Sequence, residues 1–139
     1  MTGKTAGKAF FDTNVLLYMY GGEPAKRERA KALFHEMAGA GVAVSTQVIQ
    51  EFIVASRKVG MPRATLRSIL PTLLDLPVVL VDRLHISTAF EYEGRYQISF
   101  WDALIVAAAE SSGAEVLYTE DLNHGQRFGA VLVQNPFAN

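Results

Sequence analysis

Four carboxylates, Asp12, Glu51, Asp102 and Asp121, stand where a short apolar run ends or a helical segment begins. Asp12 closes the run Ala9-Phe10-Phe11, and Asp121 follows the run Glu115 to Tyr118. Asp102 sits in Ser99-Phe100-Trp101-Asp102 at the start of an alanine-rich segment, and Glu51 lies in the first half of the segment after Val42-Ala43-Val44. Ligands of open parallel sheets collect outside the carboxyl ends of the strands, so these acids can approach one edge of one sheet. Carboxylates gathered there repel one another, and desolvation raises their pKa values. A divalent cation reverses that penalty. Oxygen-only ligation favours Mg²⁺ or Mn²⁺ over zinc, and no pair among His35, His85 and His124 has zinc-type spacing. Such a cluster suits phosphodiester hydrolysis by an activated water, with no side-chain nucleophile.

Taken singly, each acid has an ordinary structural role. Asp12 can cap the helix that begins at Thr13, Asp102 can complete a capping box with Ser99, and Asp121 can serve a turn. Glu51 can be a solvated helix charge, although Val48, Ile49, Phe52 and Ile53 place it near the core boundary. The joint placement carries the inference. Asn14 and Thr119 are candidate supports, able to orient Asp12 or hold a water. Lys26, Arg27, Arg29 and Lys31 read as a solvated helix face, as do Arg57 and Lys58, with RNA phosphate contact open to any of them. His124 reads as a solvated loop residue.

The positioning elements follow from the pattern of apolar residues. Strands are expected at Ala9-Phe11, Val42-Val44, Val78-Val81, Glu115-Tyr118 and Ala130-Gln134. Helices are expected from Thr13 to Tyr20, from Pro24 to the Gly39 region, from Ser45 or Thr46 to Gly60, after Pro62, from Leu84 to Tyr96, and from Ser99 to Gly113. Strands alternating with helices predict βαβ units, hence an α/β domain of three α/β/α layers around a mostly parallel five-stranded sheet.

A hydrophobic fraction of 50% against 19% charged residues indicates a folded domain rather than a disordered chain. The 139 residues fit one domain, expected over residues 8–139, with residues 1–7 as a flexible N-terminal arm. That arm lacks the apolar stretch of a signal peptide, and no apolar run is long enough to span a membrane. The absence of cysteine excludes disulfides and thiolate metal sites and agrees with a cytoplasmic setting. A net charge of −1 gives no bulk sign of nucleic-acid binding, so any phosphate-binding surface must come from local segregation of charge.

Phe11-Asp12-Thr13-Asn14 resembles the opening motif of PIN domains. Gln50-Glu51-Phe52, Ser99-Phe100-Trp101-Asp102-Ala103-Leu104-Ile105 and Tyr118-Thr119-Glu120-Asp121-Leu122-Asn123 resemble that family's second, third and fourth acidic positions in order. The resemblance runs from about Lys8 to Pro136, and the length resembles that of single-domain toxins of the VapC type. It implies a metal-dependent endoribonuclease, the toxin of a type II toxin–antitoxin pair. It also implies Mg²⁺ or Mn²⁺ held by Asp12, Glu51, Asp102 and Asp121 with Asn14 and Thr119 in support, a cognate antitoxin and a homodimer. Glu120, adjacent to Asp121, competes for the fourth acidic place.

Two other Rossmann-like enzymes fit less well. A haloacid-dehalogenase-like phosphatase needs an acid two residues after its nucleophilic Asp, where this chain has Asn14. A receiver-type phosphoacceptor needs a late Lys, and none follows Lys58. The non-enzymatic alternative is a catalytically silent PIN-like module that binds RNA or protein.

Overall fold

A computed structural model describes residues 8–138; the expected flexible arm over residues 1–7 lies outside them. The strands are β1 (Ala9–Phe11), β2 (Val42–Ser45), β3 (Val78–Val79), β4 (Val116–Tyr118), β5 (Arg127–Phe128) and β6 (Val131–Gln134). The helices are α1 (Thr13–Tyr18), α2 (Pro24–Met37), α3 (Thr46–Lys58), α4 (Arg63–Leu74), α5 (Arg83–Tyr96) and α6 (Phe100–Ser111). The sheet runs β3-β2-β1-β4-β6-β5, parallel throughout except for the β5–β6 pair.

Ala9, Phe10 and Phe11 are each fully buried, so helices must cover both faces of β1. Adjacent residues of a strand point to opposite faces, and burial of all three requires a layer on each side. Chain order reverses between β1's two neighbours, β2 and β4. Their carboxyl ends therefore flank a crevice at a topological switch point.

Caps fix where the helices start. The Ser45 hydroxyl oxygen accepts from Val48 N–H at 3.2 Å and starts α3 at the end of β2. The Ser99 oxygen accepts from Asp102 N–H at 3.0 Å and starts α6. Seven consecutive residues of α6, Ala103 to Ala109, are buried, which only a helix packed on several sides can achieve.

The architecture matches the expected α/β class, with three local departures. Helix α1 stops at Tyr18 because Met19 and Tyr20 bond back three residues, to Leu16 and Leu17, before Gly22 turns at φ 80°. The run Val78 to Val81 pairs only through Val79, and Leu80 projects into solvent at 70% exposure. A sixth strand, β5, forms a tight hairpin with β6 through Gly129 at φ 60°; two residues are too few to register as a periodic run. Among the described residues no helix is long and apolar enough to cross a membrane.

Phe52 ties α3 to the core. It is fully buried and packs edge-on to Tyr20, with ring centroids 5.8 Å apart. Phe52→Ala is expected to lower stability by about 3–5 kcal/mol, read as a lower urea midpoint at unchanged m. A loss below about 1 kcal/mol would show that α3 is not anchored there.

Candidate active site

Asp12 leaves the sheet at the end of β1. Its N–H donates to Tyr118 O at 3.0 Å, extending the β1–β4 ladder by one rung. Its side chain caps α1, accepting from Thr13 N–H at 2.7 Å through Oδ1 and from the Thr119 hydroxyl at 2.8 Å through Oδ2. Thr119 is fully buried, and its own N–H donates to Gln134 O, so β6 holds it in place. Thr119 thus bonds Asp12 directly.

Asn14 bridges to the other side. Its Nδ2 donates to Asp121 Oδ2 at 2.9 Å and to Thr119 Oγ1 at 3.3 Å, while its Oδ1 accepts from Glu120 N–H at 3.3 Å. Asp121 faces the cavity, whereas Glu120 turns away and pairs with Lys26 at 3.0 Å. The competition between these adjacent acids is decided by the turn after β4.

Glu51 approaches from α3. Its Oε1 accepts from the Thr13 hydroxyl at 2.9 Å and its Oε2 from Gln47 Nε2 at 3.1 Å. Gln47 also donates to Trp101 O at 3.2 Å, linking α3 to the first turn of α6, which carries Asp102. Sequence reasoning did not single out Gln47 or the side chain of Thr13. The four-residue spacing of Gln47 and Glu51 on one helix face was the available signal for the first.

Asp12, Glu51, Asp102 and Asp121 thus line one cavity of about 250 Å³, and no Lys, Arg or His lines it with them. Burial pushes the Asp12 carboxyl up to about 7; the bonds from Thr119 and Thr13 oppose this, and the charges of Asp121 and Glu51 add to it. Asp102 is raised for the same leading reason, opposed by Ser99 and reinforced by Asp121 and Glu51. Asp12 and Asp102 therefore both feel the charges of Asp121 and Glu51.

They are not drawn into contact. Among the described residues no group of three or more His, Cys, Asp or Glu is close enough to enclose an ion as it stands. Neutral donors hold Asp12, Glu51 and Asp121 apart: Thr119, Thr13, Gln47 and Asn14. An all-oxygen set of four acids facing one cavity fits a hard divalent cation in its donor chemistry. Convergence of the carboxylates would have to accompany binding.

The remaining candidates lie elsewhere. His124 is exposed and its Nδ1 accepts from Asn135 N–H at 2.9 Å; His85 caps α5 through Asp82. Two residues of the expected solvated face of α2 also have partners within the fold. Lys26 bonds Glu120 and the Tyr18 hydroxyl and lies over the Phe137 ring, and Arg29 donates to Pro136 O at 3.1 Å. Both tie down the segment after β6, a role no local pattern announces.

The sequence model of the PIN domain family matches residues 9–127. No curated protein matches the chain in sequence. Among solved structures, the fold is similar to a chain of a toxin–antitoxin complex from Klebsiella pneumoniae, with TM-score 0.70 and 22% identity over 93% of this chain and 98% of that one. It is similar to VapC20 from Mycobacterium tuberculosis, a sarcin–ricin loop cleaving toxin, with TM-score 0.68 and 22% identity over 81% and 91%. It is also similar to a chain of DNA-bound VapBC from Salmonella typhimurium, with TM-score 0.70 and 20% identity over 94% and 98%. At these identities the likeness establishes the fold.

The raised Asp12 has a thermodynamic consequence. An acid whose folded pKa lies above its unfolded value binds more protons in the folded state, so stability falls as pH rises between the two values, here from 3.8 to about 7. Asp12→Asn removes that dependence. In EDTA, between pH 5 and pH 8, the wild type should lose up to about 2 kcal/mol relative to the variant. Parallel pH profiles of urea stability for the two proteins would contradict the burial of a titrating Asp12.

Proposed function

The chain belongs to the PIN domain family, and from that premise we propose that it is a divalent-cation-dependent endoribonuclease, the toxin of a type II toxin–antitoxin pair. One observation carries the reading: four carboxylates from four separate segments face one cavity at the switch point of the sheet, with no protein cation lining it. A pure scaffold gains nothing from that arrangement, since it costs desolvation and repulsion.

Asp12, Glu51, Asp102 and Asp121 are the residues that would hold Mg²⁺ or Mn²⁺. Bound there, the cation would supply charge neutralisation, acidification of water and stabilisation of the leaving oxygen. Thr119 and Thr13 keep the Asp12 carboxylate in one orientation, and Asn14 does the same for Asp121. Gln47 and Thr13 grip both oxygens of Glu51. The cavity is lined by no Ser, Cys or His, so water is the nucleophile the site itself leaves available.

The similarity to a sarcin–ricin loop cleaving toxin supports RNA as substrate, and the similarity to chains of toxin–antitoxin complexes supports a cognate antitoxin as partner. A homodimer is supported by Leu80, Leu84, Ile86 and Phe90, large apolar side chains on and beside α5 that are each more than half exposed. We place the protein in the cytoplasm and take the functional domain as residues 8–139.

Antitoxin-free protein incubated with total cellular RNA should give discrete products with Mn²⁺ or Mg²⁺ and none with EDTA. Asp12→Asn and Asp102→Asn should each slow cleavage by at least about a hundredfold while remaining folded. Equal cleavage by both variants and wild type would remove the carboxylates from the chemistry. Metal binding without cleavage of any RNA would favour the silent binding module.

Thr119→Val tests the supporting shell. Loss of the Thr119 bond should push the Asp12 carboxyl further up, so protons compete with Mn²⁺ to a higher pH. Calorimetric Mn²⁺ titrations at several pH values should show weaker binding in the variant, most of all below neutrality. Identical titrations at every pH would show that Thr119 does not set the state of Asp12.

A further inference from the structure

The segment from residue 38 to residue 74 contains Arg57, Lys58, Arg63 and Arg67 but only one acid, Glu51, which is turned to the carboxylate cavity. The charge segregation that a nucleic-acid binder of net charge −1 requires is therefore present on α3 and α4, where the excess is larger than on α2, whose Lys26, Arg27, Arg29 and Lys31 stand beside Glu28 and Glu36. Arg57, Arg63 and Arg67 surround a notch of about 250 Å³ between these helices, floored by Ile53, Leu66 and Leu70.

Nothing within the described residues answers these three charges. Their ion pairs are Lys26–Glu120 and His85–Asp82, and none of the three arginines makes one. Arg63 and Arg67 stand four residues apart on one face of α4, where like charges repel. Arg63 also opens the first turn of α4, which contains no acid, against the preference of the helix dipole. Positive charge at the start of α4 is thus gathered against the dipole, while Arg57 and Lys58 in the last turn of α3 stand where the dipole favours cations.

The α3–α4 turn, which lies between Arg57 and Arg63 in the chain, borders a groove that leads to the site, although notch and groove share no lining residue. This groove, of about 330 Å³, shares Asn14 with the carboxylate cavity, along with Leu17, and runs past Tyr18, Tyr20 and the Lys26-paired Glu120 to Val59 and Met61 in the α3–α4 turn. The geometry points to the arginine notch as the anchor for single-stranded or looped RNA that leads from the carboxylate cavity along the tyrosine-lined groove, an inference that rests on the nuclease reading above. Guanidinium groups bond phosphate oxygens and stack on bases, and an apolar floor between them accepts the flat face of an unpaired base.

The test uses the Asp12→Asn protein, which retains the surface, and a short fluorescein-labelled single-stranded RNA of mixed sequence, followed by anisotropy across a salt series. Adding Arg57→Gln, Arg63→Gln and Arg67→Gln together should weaken binding about tenfold or more and flatten the dependence of log K on log salt by about 2, near 0.7 for each lost contact. All three positions are exposed, so the melting temperature should hold. Arg83→Gln with Arg127→Gln, two exposed arginines outside the notch, should leave affinity and slope unchanged. If the triple variant binds as before while wild type still cuts RNA, the anchor is overturned and the nuclease reading stands. If the triple variant keeps RNA affinity but loses an acidic protein partner, the notch belongs to that partner and the RNA anchor is equally overturned. If wild type neither binds nor cuts RNA, both readings fail.

Discussion

Asp12 is a carboxylate taken out of water at the end of the central strand, and the surrounding structure is arranged to tolerate it. Only 4% of the residue is exposed, yet it receives two hydrogen bonds, from Thr13 and Thr119, and no cation. Charge-assisted bonds favour the ionised form, while burial and the neighbouring acids disfavour it. The outcome is a group poised near neutrality, neither a fixed charge nor a permanently neutral acid. Such a residue, buried without a cation beside it, weakens the fold as pH rises. The fully buried strand β1 behind it, continuous with Val44 and Leu117 in the neighbouring strands, supplies the apolar burial that offsets this cost.

Topology converts that one position into a site. The crevice lies beyond the carboxyl ends of β1 and β4, and the helices that follow β1 and β2 begin beside it. Asp12 and Thr119 come from the strand ends themselves, whereas Glu51 and Asp102 come from the early turns of α3 and α6. The fourth acid, Asp121, comes from the turn after β4, so the distances among the four are set by sheet register, helix packing and that turn. Thr13 and Gln47, which bond Glu51 from α1 and from its own helix, couple those elements directly. The acids can approach one another only as far as these donors release them.

Much of this was legible in the chain itself, because the signals were local. Apolar runs marked β1, β2, β4 and β6, Ser99 marked the start of α6 at its observed cap, and of the pair Ser45 and Thr46 it is Ser45 that caps α3. Asp12, Glu51, Asp102 and Asp121 could be grouped because each stands at the end of a strand or the start of a helix. What stayed hidden depends on contacts between distant segments. Whether Glu120 or Asp121 faces the cavity is decided by a turn and by Lys26, 94 residues away. The grip of Thr13 on Glu51 spans 38 residues. Arg29 looked solvated because its partner, Pro136 O, lies 107 residues on. The hairpin strand β5 is too short for any period to show.

Electrostatics then constrains how the two halves of the surface can work together. A cavity lined by four acids and no base repels phosphate as firmly as it attracts a divalent cation. Affinity for a polyanion must therefore arise outside it, and the excess positive charge of α3 and α4 is where the chain places it. The near-zero net charge conceals this division, because it averages an acidic crevice with a basic shoulder. Separation serves both parts. Arginines beside the carboxylates would pair with them, as Lys26 pairs with Glu120, and would lose both the cation site and the phosphate contact. Glu51 and Arg57 lie on the same helix roughly 9 Å apart along its axis, close enough for one bound strand to reach both and far enough that neither neutralises the other. On this reading helix α3 is the element that joins chemistry to recognition: one face completes the carboxylate cluster, and its far end presents the charge that brings phosphate within reach of it.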